Sequence, residues 1–182
     1  MVPFQGQSQT SPYMPTFIAL LRAINVGGNS LPMEELRKLC KKIGFKNVRT
    51  YIQSGNVLFE SNQSEAELVV ELEFALAEKK AWNIPVIIRN RDEFEAVLAA
   101  NPFQKANPAR VGVLFLREPT PPDLMKEIEI PGREQVVVSG RELYIHYPDG
   151  MGRSKLKLPK TVAAGTMRNI NTVARLVQKC RE

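Results

Sequence analysis

A chain of 182 residues is long enough for one well-buried core or for two small lobes that share an interface. Its 43% hydrophobic and 24% charged content is ordinary for a soluble globular protein, and apolar runs as short as residues 17–21 exclude a membrane-spanning helix, which needs roughly 20 apolar residues. The net charge of +6 is concentrated at one end: residues 151–182 hold eight basic groups against Glu182 alone, which leaves 17 basic and 18 acidic groups before them and points to nucleic acid or another phosphate-bearing partner.

Residues 1–15 carry no charge and lack the basic start and apolar stretch of a secretory signal. They are expected to form a leader outside the core. Residues 16–24 form a β-compatible apolar run that ends in the turn-rich Asn25-Val26-Gly27-Gly28-Asn29. Met33, Leu36, Leu39, Cys40 and Ile43 then recur at helical spacing, with Ser30 as the expected cap and Gly44 as the stop. Residues 48–53 and 57–60 read as a hairpin, residues 64–81 as a long helix, and residues 84–89 as a further strand. The order through residue 90 is β-α-β-β-α-β, the split arrangement in which two helices pack on one face of an antiparallel sheet.

A short helix over residues 92–100 ends before Pro102. A strand over 111–117, a helix over 123–128, strands over 135–139 and 142–147, and a final helix over 169–179 make a partial repeat, β-α-β-β-α without a closing strand. The expected fold is therefore α+β and two-lobed: a ferredoxin-like lobe over residues 16–90, and a second lobe over 91–182 that ends in the basic segment. Cys40 and Cys180 fall on apolar helical stripes, and without an export signal they imply a reducing compartment and a cytoplasmic protein.

Four stretches carry a resemblance: A-L-L-R-A-I-N-V-G-G-N (19–29), T-Y-I-Q-S-G-N-V-L-F (50–59), Y-P-D-G-M-G-R-S-K-L (147–156) and T-M-R-N-I-N-T-V (166–173). Together they make the chain, over about residues 14–180, resemble the bacterial domain-of-unknown-function family 1697. The resemblance implies a two-lobed α+β fold related to the ferredoxin-like arrangement and no established activity. The family usually has glycine where this chain has Ala23 and tryptophan where it has Ile170. Ala23 is expected to be tolerated at an extended strand end, and Ile170 to serve as a smaller core residue in place of the ring.

Several chemistries lack their residues. A single histidine and two distant cysteines do not supply the usual zinc ligands, and no metal site is expected. There is no G-x-x-x-x-G-K-[ST] phosphate loop, no G-x-S-x-G elbow and no C-x-x-C, and no cofactor is expected.

What remains is a set of polar and basic residues at element ends. Arg22 interrupts an apolar strand, and Asn25 begins a glycine loop whose amides can face an anion. Gly55 and Asn56 are sufficiently explained by a turn between two strands, whereas Gln53 and Ser54 are not and count as site candidates. Arg153 and Lys155 follow a flexible glycine loop, and Arg168 with Asn169 opens the last helix, where cationic side chains and free amides suit a phosphate or carboxylate.

The leading expectation is a protein that binds a phosphate-bearing small molecule or nucleic acid. A second reading is an enzyme with His146 as acid or base near Ser154 and Lys155. The third is an interaction module whose basic tail docks an acidic protein or RNA.

Overall fold

A computed structural model describes residues 13–182; most of the expected leader lies outside the described residues. The first lobe runs β1 (Thr16–Leu21), α1 (Met33–Lys42), β2 (Lys46–Tyr51), β3 (Asn56–Glu60), α2 (Glu65–Lys79) and β4 (Val86–Asn90). Its sheet has the order β2-β3-β1-β4, with every neighbouring pair antiparallel. α3 (Arg91–Ala99) links it to the second lobe: β5 (Val111–Phe115), α4 (Leu124–Glu127), β6 (Gln135–Ser139), β7 (Glu142–His146), α5 (Lys160–Ala163), β8 (Thr166–Asn169) and α6 (Ile170–Lys179).

The second lobe corrects the expected partial repeat, because it has a closing strand. β8 pairs antiparallel with β5, and the sheet order β6-β7-β5-β8 repeats the order of the first lobe position for position. What is abbreviated is the helices, since α4 and α5 are single turns of four residues each. Residues 166–169 escape a pattern reading because the two that face inward are Thr166 and Arg168, both buried. Polar side chains on the buried face erase the alternation by which a strand is recognised.

Local signals set the helix starts. Ser64 accepts from the Glu67 N–H while Glu67 Oε2 accepts from the Ser64 N–H at 2.8 Å, and Asn90 and Glu93 make the same reciprocal pair at the start of α3. Ser30 does not cap α1. Pro32 occupies that position with no side-chain bond, because Asn25 Oδ1 accepts from the Leu31 N–H at 2.8 Å and its amide donates to the Leu31 carbonyl at 3.0 Å, which ties the chain into a loop just before the helix.

β1 is apolar at consecutive positions because both of its faces are covered. Phe17, Ala19 and Leu21 pack under α1 and α2, while Ile18 and Leu20 face a central core built from α3, α6 and the inner face of the second sheet. A third cluster, including Leu114, Leu143 and Ile145, lies between the outer face of that sheet and the two short helices. Ile170 belongs to the central core, as expected.

The expectation for Ala23 does not hold. β1 ends at Leu21, and Ala23 has φ +54° in the loop beyond it. A left-handed alanine costs about 1–2 kcal/mol, which explains why glycine suits this position. Ala23→Gly relieves that strain and gives back part of it through the freer unfolded chain. The expected net gain is about 0.5–1 kcal/mol, read as a higher urea midpoint with an unchanged slope.

Candidate functional site

The loop of residues 22–32 and the turn of residues 52–55 meet at one end of the first sheet, and the way the chain closes them concentrates unusual backbone there. Ala23, Asn25 and Ile52 all take positive φ, +54°, +56° and +51°. A β-branched residue such as Ile52 rarely does so, and such strain persists only where surrounding bonds enforce it. Asn25 supplies one of them, donating to the Gln53 carbonyl at 2.9 Å while it closes its own loop. Asn25 is thus a tie between the two loops.

The other bond-maker comes from the second lobe. Arg168, on β8 opposite Val113, projects across the central core into the turn. Its Nε donates to Asn56 Oδ1 at 2.6 Å, and its Nη2 donates to the carbonyls of Leu21 at 3.0 Å and Ser54 at 2.7 Å, with Gly55 O at 3.4 Å. Nη1 turns back to its own strand, to Met167 O at 2.9 Å. Asn56, fully buried at the start of β3, spends its amide on Tyr51 O and Ser54 Oγ, both at 2.9 Å. Asn56 is therefore no permissive turn residue: Ile52 and Gly55 take the left-handed angles, and Asn56 aligns the arginine.

Every acceptor around Arg168 is neutral. Burial without a carboxylate pushes its pKa down to about 10, still far enough above neutrality for the guanidinium to remain charged. The second buried arginine, Arg89, is treated differently. It is 1% exposed and donates to Glu142 Oε1 at 3.1 Å, with Glu65 at 3.6 Å. Arg141 adds bonds to Glu65 at 2.7 Å and Glu93 at 2.8 Å. Burial pulls the Arg89 pKa down and Glu142 opposes it, whereas the hydrogen bond that Arg141 donates to Glu65 raises the pKa of Arg141. Both arginines join the lobes, and only Arg89 has its charge answered by acids. Arg89 escaped sequence reading although it shows the same signal as Arg22, an arginine closing an apolar strand.

Arg22 itself lies just past β1, half-buried, and its guanidinium has no hydrogen-bond or ionic partner among the described residues. Its backbone N–H donates to Pro85 O at 3.1 Å, one peptide from the Leu21 carbonyl that holds Arg168. Pro85 is also a wall of a groove of about 780 Å³ between the lobes, with Ile84, Ile87, Leu116 and Val162 among its lining. Gln53 is exposed, and its side chain has no partner among the described residues.

The remaining candidates lie apart from this junction. Asn169 caps α6 through the Asn171 N–H at 2.9 Å, and its amide reaches Pro108 O and Val111 O, each at 3.2 Å, so its bonds are architectural. Arg153 and Lys155 are exposed on the second lobe. Ser154 donates to Glu134 Oε1, and that bond holds the Glu134 carboxyl below its usual range. His146 takes other partners, Gln135 Oε1 at 3.3 Å from Nδ1 and the Phe103 ring at 5.6 Å, beside a cleft of about 530 Å³. The basic C-terminal segment is partly paired within the fold, Lys157 with Glu129 at 2.8 Å and Arg181 with Glu95 at 3.1 Å. Among the described residues no cluster of three or more metal-ligating side chains occurs, and no helix is long and apolar enough to cross a membrane.

The two-lobed arrangement is shared with a solved structure. A conserved bacterial protein from Streptococcus pneumoniae superposes with a TM-score of 0.76 at 26% sequence identity, covering 93% of this chain and 99% of that one. No curated protein matches the chain. The family profile described as "Protein of unknown function (DUF1697)" matches residues 14–144, which takes in the Arg22 loop and the 52–55 turn and stops short of the motifs that contain Arg153 and Arg168. Because that match spans most of the chain, the protein belongs to the family of unknown function DUF1697.

Proposed function

We propose that the protein binds an anionic small molecule, phosphate- or carboxylate-bearing, at the junction of the lobes, with Arg22 as its direct contact. The observation that carries this reading is the pairing of a partnerless, half-buried arginine with a buried arginine whose charge meets only neutral oxygens. Two cations so placed leave an uncompensated positive field at a site where backbone strain is already held in reserve. The neighbouring groove, which meets this junction at Pro85 and is not itself lined by Arg22 or Arg168, supports a small ligand over nucleic acid: its volume falls within the roughly 300–1,000 Å³ of small-molecule sites, and its walls are largely apolar. Arg168 contributes through its field and by fixing both loops, because its own donors are largely spent on protein oxygens.

The order β-α-β-β-α-β and the 2-3-1-4 strand sequence support reading each lobe as a ferredoxin-like unit. Two free cysteines, with Cys40 buried and its thiol pushed up to about 12, support a reducing, cytoplasmic setting.

A thermal-shift screen against nucleotides, sugar phosphates and carboxylates tests the binding reading. A ligand that binds only the folded state raises the Tm by an amount that grows with the logarithm of its concentration above Kd. Arg22→Ala leaves the unliganded Tm unchanged and weakens that ligand by about 10- to 100-fold, the range for losing a hydrogen bond to a charged group. A ligand whose affinity survives Arg22→Ala, or a screen with no hit, sinks this assignment.

A further inference from the structure

Each sheet ends in two edge strands, and three of the four are closed to further pairing. β2 carries Lys46 and Arg49 with a register shift between them. On β4, the Val86 N–H donates to Glu73 Oε1 and its carbonyl accepts from Arg117 Nη2, both at 2.9 Å. β8 is four residues long, and Arg168 folds back onto the Met167 carbonyl. β6 is the exception. Its sequence Q-V-V-V-S has no charge, no proline and no register shift against β7.

Which of its backbone groups are free follows from a bond on the other side of β7. The Leu116 N–H donates to Arg141 O at 2.8 Å, and antiparallel pairing alternates sides. Leu143 and Ile145 therefore turn their groups toward β5, and Glu142, Tyr144 and His146 turn theirs toward β6, where they meet Ser139, Val137 and Gln135. Val136 and Val138 direct N–H and C=O away from the sheet, where no described residue meets them. Thr120 closes the edge one step further on, at Gly140 O.

We propose that β6 is a docking edge for a second copy of this chain, paired antiparallel about a two-fold axis through Val137. The occupant follows from self-complementarity. Only Val136 and Val138 offer outward groups, so a two-fold register that satisfies all of them sets Val136 against the second copy's Val138 and Val138 against its Val136. Val137 then faces its own copy in the close, non-hydrogen-bonded position, and Gln135 faces Ser139. Valine meets valine on both faces of the joint, with no charge opposed along the strand. Val137, 39% exposed in the single chain, is covered on the axis, and two four-stranded sheets become one continuous sheet.

Light scattering and sedimentation of the full chain test this pairing over a dilution series. The native protein is expected to be dimeric. Val137→Lys and Val137→Glu each place like charges opposite one another and weaken association by about a hundredfold or more, with unchanged far-UV circular dichroism, and with an unchanged urea midpoint at dilutions where the native chain is itself dissociated. An equimolar mixture of the two variants restores a dimer, because lysine then faces glutamate. The proposal is overturned by a native protein that stays monomeric, by a dimer that persists in either single variant, or by a mixture that stays monomeric.

Discussion

Arg168→Met lowers the stability of the folded chain by about 2–4 kcal/mol, seen as a lower urea midpoint with an unchanged slope. Two opposing quantities set that range. The folded protein keeps this guanidinium buried without a counter-ion, and a pKa of about 10 against an ordinary 12.5 corresponds to about 3 kcal/mol given up for the charge. Methionine recovers that. It also strips the donor from Asn56 Oδ1, Leu21 O and Ser54 O, and each buried acceptor left bare costs about 1–3 kcal/mol. The second effect wins because three acceptors depend on one side chain. Arg168→Lys is a stringent control: it keeps the charge, but a single ammonium does not span acceptors arranged for a planar fork, so most of the loss remains. A methionine variant as stable as the native chain would show that the arginine does not hold the loops. These magnitudes also make Arg168 a poor probe of ligand binding and Arg22, which holds nothing, a good one.

Gly55→Ala is expected to cost about 2–5 kcal/mol, from left-handed backbone and overpacking together. The residue has φ +78°, and a Cβ there comes within 2.5 Å of Ile24 Cδ1 and 2.9 Å of Leu21 Cβ. Neither neighbour has room to retreat, because Leu21 and Ile24 are both core residues. Ile24→Val removes the closest atom, so in the Gly55→Ala background it returns part of the loss, whereas alone it destabilises. Gly28→Ala separates the two causes: φ is +87° but nothing lies within 4 Å of the added Cβ, leaving a backbone cost of about 1–2 kcal/mol alone. Urea unfolding of the four variants measures both terms. Equal losses at positions 55 and 28 would remove the steric argument.

The two positions show why this junction resisted reading from the chain. In T-Y-I-Q-S-G-N-V-L-F, the glycine and asparagine look like turn residues and the glutamine and serine look like site residues. The structure nearly inverts that assignment: Gln53 points to solvent, Ser54 gives Arg168 its carbonyl, and Asn56 is the buried ligand of the arginine. A side chain 112 residues away fixes the role of Asn56, and no local pattern encodes that distance. Asn169 was legible as a residue that opens the last helix because its bond to Asn171 is local; the pairing of Arg89 with Glu142, 53 residues apart, was not.

Periodicity, capping residues and glycine positions were sufficient for the α+β class and the order of the first six elements, because each depends on contacts within a few residues. Tertiary structure alone decided that β8 exists, that Ala23 is left-handed, and that one arginine is neutralised by glutamates while the other meets only carbonyls and an amide. Those outcomes depend on which polar groups are buried together when the second lobe closes on the first, and desolvation is a property of the assembled core.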